Sequence, residues 1–508
     1  MPKPSHEIMR KVQDSTTSHR FSSRWGLLLS AIGIAVGTGN IWRFPRIVAQ
    51  EGGENGAGAF IFAWVVFLFL WSIPLIIAEY TLGRKHRRGV VGVFIEAAGK
   101  KFAWMGAFVG FVTAAITFFY TVVVGWCIFY FFKTLTGDLP LTTDQAMATW
   151  DTFQSSNFKY IFHFLAVGLA AVAIWKGVKS IEKVNKILIP ILLVIVLISV
   201  IRAVTLPGAG EGIAYLFKID FSQLSNPKIW LAALTQNAWD TGAGWGLFLT
   251  YAAYMKKEHG VVKNAFTTGI TNNTVSLLSG IMIFGTVFAI LGTEMGMARG
   301  EIMEVMKTSG PASTGLTFIW MPQLFARMVF GHPLAILFFL GLTFAGFSSL
   351  IAQLELSTRI FVDTGMKRNY SILLVVALTY VLGIPAASNL NWLSNQDHVW
   401  GIGLMISGAL MAFVVFKSGA KKLRRELHMD PNDWQLKSWW SIVIQYFIPF
   451  AAITLLVWWF YLAATVFAPG EWYNPFNAFS IMTCLVQWAI MLSIFVIFNK
   501  RIAGSLAS

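Results

Sequence analysis

The chain is 508 residues long, 56% hydrophobic and only 12% charged, with a mean hydropathy of +0.63, which excludes a soluble globular domain. Its apolar runs reach about 20 residues, the length of a membrane-crossing helix, and exclude a β-barrel whose strands alternate over about 10. The net charge of +15 does not mark a nucleic-acid partner, because 28 of the 39 Lys and Arg fall in the N-terminal tail, in every second loop and in the C-terminal tail, while loop 135–158 carries none.

That distribution is the positive-inside pattern, and it predicts an even number of spans with both termini cytoplasmic. Residues 1–24 read as a polar, basic tail whose Arg20 and Arg24 lie close enough to the membrane to act as a latch. Spans are predicted over 26–50, 58–82, 103–133, 159–176, 186–205, 229–254, 264–293, 329–362, 370–386, 397–417, 439–467 and 475–499. Twelve spans agree with the charge parity. The first apolar run has no small-residue cleavage site behind it, so it is not read as a removable signal peptide. Cys127 and Cys484 both lie in apolar runs and imply no disulfide framework. Short outer loops fit a multi-pass protein of a bacterial inner membrane.

Two of the spans contain what hydrocarbon disfavours. Ala35-Val-Gly-Thr-Gly-Asn-Ile-Trp-Arg-Phe-Pro45 places two close glycines, an amide, an arginine and a proline in the first span. Gln236-Asn-Ala-Trp-Asp-Thr-Gly-Ala-Gly-Trp-Gly246 places a carboxylate and three glycines in the sixth. A helix may be interrupted inside a bilayer only where the freed backbone groups line a cavity or bind something. Interruptions at matching places in two five-helix halves point to an inverted-repeat secondary transporter with its site at the midplane. The predicted organisation is an all-α integral membrane protein: tail 1–24, a first five-helix repeat over 25–210, its inverted counterpart over 211–418, helices 11 and 12 over 419–500, and a cytoplasmic tail over 501–508.

The segments AVGTGNIWRFP (35–45), NGAGAF (55–60), IPLIIAEYTLGR (73–84), 236–246 and TFAGFSSLIA (343–352) resemble the neurotransmitter:sodium symporter family, in particular its bacterial amino-acid transporters. The resemblance covers the chain from about residue 20 to 500. It implies sodium-driven uptake by alternating access, in which a bundle of helices 1, 2, 6 and 7 rocks against a scaffold of 3, 4, 8 and 9. It also implies two sodium ions and no organic cofactor. One ion would take the carbonyls of Gly33, Val36 and Ala345 and the hydroxyls of Ser348 and Ser349, although intramembrane serines also bond back to their own helix. The second would take the Ala35 carbonyl, the Asn40 and Asn272 side chains and a group at Asp240, with the substrate carboxylate as a further ligand.

At Asp240 the chain departs from the family, which has Thr or Ser there. Chloride-dependent relatives hold an anion at positions that match Trp64, Gln236, Asp240, Asn272 and Ser276, so a tyrosine is lost here and a hydroxyl has become a carboxylate. A fixed negative charge beside a cation would do the work of chloride, which predicts chloride-independent transport. The alternative is that Asp240 caps the second half of helix 6.

For the substrate, the resemblance implies that the N–H groups of Thr38 and Gly39 and the hydroxyl of Tyr120 meet a carboxylate. Carbonyls of Trp239, Asp240 and Gly242 would take the ammonium. Gly37 stands where amine carriers have Asp and leaves room for the carboxylate. Ile34, Ile116, Trp239, Trp245, Ser349 and Gln353 would line a largely apolar side-chain pocket for a neutral, hydrophobic amino acid. Arg43 and Asp397 are the expected outer gate, and Arg20 or Arg24 with Asp363, supported by Tyr254, the inner one. Tyr120 and Trp239 would lid the substrate, with Trp42 and Phe119 beside them. Glu79 and Glu355 are assigned structural roles, paired with backbone or with each other.

No His falls in this cluster, and no nucleophile, metalloprotease or phosphate-loop pattern appears. The chain is not read as an enzyme, and its partners are sodium, a small amino acid and the bilayer. Two alternatives remain open: a proton-coupled carrier of another small organic solute with Asp240 as the proton site, and a non-transporting receptor on the same fold.

Overall fold

The computed structural model describes residues 20–307 and 314–506, and among them every regular element is a helix. Eight are long and apolar enough to cross a bilayer: Gly58–His86 (span 2), Lys100–Thr136 (span 3), Val178–Val204 (span 5), Val261–Glu294 (span 7), Gly331–Asp363 (span 8), Arg368–Ser388 (span 9), Leu390–Ser418 (span 10) and Trp439–Phe467 (span 11). Three more cross as members of bent pairs. These are span 1, Arg24–Ala35 with Gly39–Glu51 at 49°; span 4, Phe158–Ile174, entered at 75° from Thr143–Ser155; and span 12, Ile481–Ile497, which turns by 60° into Asn499–Ser505. The twelfth, span 6, is Pro227–Asp240 and Leu247–Ala252, parted by residues 241–246. The architecture is the expected all-α bundle of twelve spans broken at the first and sixth.

Some boundaries differ from expectation. Span 5 starts at Val178 rather than 186, because no glycine or proline falls between 178 and 186 and Glu182 is anchored by the amide (2.7 Å) and hydroxyl (2.5 Å) of Ser22. Span 12 starts at Ile481 rather than 475, where Ser480 caps it by accepting from the Thr483 amide at 3.0 Å. The predicted repeat boundary at 210 and 211 lies inside an unpredicted helix, Ala209–Phe217.

Both breaks have local causes. The first half of span 1 ends at Ala35 because Val36 is extended, with φ −80° and ψ 96°. The chain resumes as a wide π-type turn over Gly39–Arg43, a feature common at functional sites. Pro45 follows at the start of a regular segment, where its missing N–H removes least. In span 6, Gly242, Gly244 and Gly246 take φ of 67°, 89° and 82°, which side chains resist.

A carboxylate holds the second break open. Glu79 of span 2 is fully buried and accepts from the amides of Gly244 (2.6 Å) and Leu249 (3.1 Å). It thereby caps the second half of span 6 and meets the positive end of its dipole. Spans 3 and 8 pack along each other, span 9 joins them with span 4, and span 2 packs on both halves of span 6. The breaks face one another between these two groups.

Candidate functional site

The two breaks enclose a cavity of about 120 Å³. All twelve residues expected at the substrate line it: Ile34, Gly37, Thr38, Gly39, Ile116, Tyr120, Trp239, Asp240, Gly242, Trp245, Ser349 and Gln353. At one end the Tyr120 hydroxyl lies 3.4 Å from the Thr38 amide and 3.2 Å from the Thr38 hydroxyl. A Cβ on Gly37 would come within 2.8 Å of Ser349 Oγ and 3.2 Å of the Tyr120 hydroxyl, whereas one on Gly39 would meet nothing within 4 Å. Gly37 is therefore the tight point of the cradle. Trp239 and Trp245 meet edge to face at 6.0 Å, and the Trp245 backbone is fixed by the Thr113 hydroxyl, which donates to its carbonyl at 2.8 Å. A Cβ on Gly401 would fall 2.1 Å from Trp239, so that glycine makes room for the indole. Val123, Leu247, Leu393 and Arg46 on the wall were not foreseen; no local motif distinguishes the three apolar residues from ordinary core, and the signal for Arg46 was a second arginine three residues after Arg43.

Beside the cavity, oxygens converge in two places. Ser349 donates to the carbonyls of Gly33 and Ile34, both at 3.2 Å. Ser348 donates to Val36 (3.4 Å) and to Ala345 in its own helix (3.0 Å). The five groups expected around one ion are thus within reach of one another, and the serines make both the cross-helix and the own-helix bond. In the second place, the Asn40 amide nitrogen donates to Asn272 Oδ1 (2.8 Å) and Ser276 Oγ (2.7 Å), while its oxygen accepts from the Gly37 amide at 2.8 Å. The inner arm of the Asn272 amide lies 3.0 Å from the Ala35 carbonyl and 3.2 Å from that of Asp240. With its oxygen inward, three oxygens meet without a proton between them, an arrangement that a hard cation relieves; with its nitrogen inward, the amide donates to both carbonyls.

Asp240 is buried, with Gln236 Nε2 at 3.4 Å and Ser276 Oγ at 3.5 Å from Oδ2. Its Oδ1 and the Gln236 Oε1 have no hydrogen-bond partner. It does not cap the second half of span 6; Glu79 does. The carboxylate therefore faces the Asn40, Asn272 and Ser276 group with unused acceptor capacity, which a protein interior leaves uncompensated only at a cost.

The gates are arranged otherwise than expected. Arg43 and Asp397 line the same cavity, but among the described residues no ion pair within 4.0 Å joins them, and the Arg43 guanidinium instead lies 4.5 Å over the Trp239 ring. On the opposite side Asp363 pairs with Arg359 at 2.7 Å, one turn away, and accepts from the Gly89 amide at 2.5 Å. Neither Arg20 nor Arg24 reaches it: Arg24 donates to Asn264 at 3.3 Å. Arg359 precedes Asp363 by four residues in one helix, so their pairing needs no tail ordering. Tyr254 donates to Glu355 at 2.6 Å, and Arg368 closes on the same carboxylate at 2.5 Å; Glu355 thus pairs with side chains rather than with backbone or Glu79. The tail closes this side through Phe21, which is fully buried, stands edge-on to Tyr251 at 5.9 Å and donates its amide to the Tyr254 carbonyl at 3.1 Å. An aromatic in a polar tail was the available signal for that plug.

Two half-broken helices facing one another around a small cavity, with carbonyls and hydroxyls gathered beside it, define a secondary transporter whose site lies between moving helix groups. Comparison with known proteins gives the family. The model of the sodium:neurotransmitter symporter family matches residues 18–160 and 154–505, and the chain belongs to that family. It is similar to a sodium-dependent transporter of Haemophilus influenzae, 30% identical over 86% of this chain and 97% of that one. It is likewise similar to the sodium-dependent serotonin transporter of Drosophila melanogaster, 29% identical over 80% and 70%. Its fold is similar to the crystal structure of MhsT in complex with L-phenylalanine, with a TM-score of 0.74 and 28% identity over 86% of this chain and 99% of that one. The protein is a sodium-dependent, multi-pass membrane transporter and not an enzyme.

Proposed function

We propose that this protein imports a neutral, hydrophobic amino acid together with two sodium ions, without chloride, across the plasma membrane, with both termini in the cytoplasm. The observation that carries the substrate class is the cradle: the Thr38 amide and hydroxyl gather with the Tyr120 hydroxyl at one end of a cavity, Gly37 brings no side chain into that tight end, and Ile34, Ile116, Trp239 and Trp245 wall the remainder. A carboxylate suits the amides at the break, as an anion suits any helix N-terminus, and the apolar wall suits an aliphatic or aromatic side chain. MhsT binds L-phenylalanine, which supports the same class here.

One sodium is held by Gly33, Val36, Ala345, Ser348 and Ser349. The second is held by Ala35, Asn40, Asn272 and Asp240, with the substrate carboxylate completing its shell. Asp240 neutralises this ion where relatives of another type use chloride. Its unpartnered Oδ1 and the capping of span 6 by Glu79 support that role.

Uptake of labelled amino acids into proteoliposomes under an inward sodium gradient tests the reading. Concentrative uptake of hydrophobic amino acids that persists with gluconate in place of chloride is expected. Binding without accumulation would leave a receptor, and uptake driven by a pH gradient without sodium would make Asp240 a proton site.

A further inference from the structure

Below the carbonyls assigned to the first sodium ion lies a second polar group that takes no part in the site described above. Asn185 of span 5 is fully buried, and neither its amide oxygen nor its nitrogen has a hydrogen-bond partner. The same holds for the hydroxyls of Ser30 in span 1 and Tyr251 in the second half of span 6, both fully buried. An unsatisfied buried polar group costs about 1–3 kcal/mol, and although Tyr251 and Asn185 approach one another, three oxygens on three spans leave lone pairs for a ligand.

The placement of these groups is specific. A Cβ on Gly33 would meet Asn185 Oδ1 at 3.3 Å and Ser348 Cβ at 3.2 Å, so the Asn185 oxygen abuts the residue that offers its carbonyl to sodium. Gly26 faces Glu182 and Gly33 faces Asn185 and Ile189; Ser30 lies one turn from both glycines, on the face that meets span 5. The Tyr251 hydroxyl comes up to the Asn185 side chain and feels the charge of Glu355. Phe21 then closes the way out, its ring edge-on to Tyr251, while Ser22 ties the tail to Glu182.

We propose that Ser30, Asn185 and Tyr251 form a relay site for a partly hydrated sodium ion between the Gly33 and Ser348 set and the cytoplasm, sealed by Phe21. The ligands are neutral oxygens, which suit a hard monovalent cation and let it leave, since no charge holds it there. The two carboxylates around the group are already matched, Glu355 by Arg368 and Glu182 by Lys186, so they draw the ion outward without trapping it. The site opens when the first half of span 1, carrying Phe21, moves off Tyr251 and span 5.

This proposal rests on the sodium-symport reading, and its test separates the two. Uptake is measured in proteoliposomes while sodium is varied independently outside and inside, with thermal stabilisation by sodium in detergent as a check on folding and on the main sites. Wild type is expected to be inhibited by internal sodium. Asn185→Leu and Tyr251→Phe should weaken that inhibition about tenfold, each having lost an oxygen ligand, while external sodium dependence and the stabilisation by sodium stay within about twofold. Asn185→Asp, which keeps the oxygen, should retain the inhibition. Unchanged internal inhibition in both Asn185→Leu and Tyr251→Phe would overturn the relay and leave the group filled by structural water only. A parallel loss of external dependence would overturn it by placing these residues in the main sodium site. Failure of the wild type to accumulate amino acid at all would instead remove the symport reading.

Discussion

The Glu79 carboxylate, carried by span 2, accepts the Gly244 amide at 2.6 Å inside the break of span 6. That bond, with its companion to Leu249, stabilises the second half of the span from a neighbouring helix and leaves Asp240 free to face the cavity. Glu79→Gln should lower stability by about 2 kcal/mol, since one charge-assisted acceptor becomes an amide donor facing N–H groups. Asp240→Asn should not lower it. Thermal unfolding in sodium-free detergent distinguishes the two.

Asp240 and chloride should be exchangeable. Wild-type uptake is expected to be the same in chloride and gluconate, whereas Asp240→Ser should lose at least about tenfold in gluconate and recover part of it in chloride, because one fixed charge beside sodium has become one mobile charge.

The cradle gives a graded series. Tyr120→Phe removes one donor beside the Thr38 amide and should raise the amino-acid KM about fivefold to tenfold with little loss of protein stability. Gly37→Ala places a Cβ 2.8 Å from Ser349 Oγ and should abolish binding, read as loss of substrate-induced tryptophan fluorescence change.

Gly401 tests the lid from behind. A methyl group there would overlap Trp239, 2.1 Å away, and must displace the indole on which Arg43 lies. Gly401→Ala should weaken substrate affinity by about tenfold or more, overpacking being costly where a rigid, packed indole must shift. Sodium stabilisation without substrate should persist.

On the inner side the plug should matter more than the tail arginine. Phe21→Ala should increase labelling of a Ser30→Cys probe by a membrane-impermeant thiol reagent applied from that side, while Arg20→Ala should change it little. Arg359→Ala should act as Phe21→Ala does, since it unpairs Asp363, which otherwise accepts from the Gly89 amide. Cys127 and Cys484 are buried and will not compete for label.

The resemblance to its family named twelve of the residues that line the cavity; by itself the sequence determined the twelve spans and the two breaks. These are local consequences of hydrocarbon, which admits glycine, amide and arginine in mid-span only where they bind something, so the exceptions are visible in the chain. It also singled out Asp240, because a lone carboxylate at that depth stands out from an apolar run. What it could not decide were pairings between distant spans. Whether Asp240 or Glu79 caps span 6, whether Asp363 meets Arg20 or Arg359, and whether Glu355 meets Glu79 or Arg368 and Tyr254 depend on distances across the bundle, which no periodicity encodes. The relay group belongs to the same class: Ser30, Asn185 and Tyr251 each pass for an ordinary helix residue in sequence, and only their convergence, buried and without partners, shows that three spans share one unmet demand.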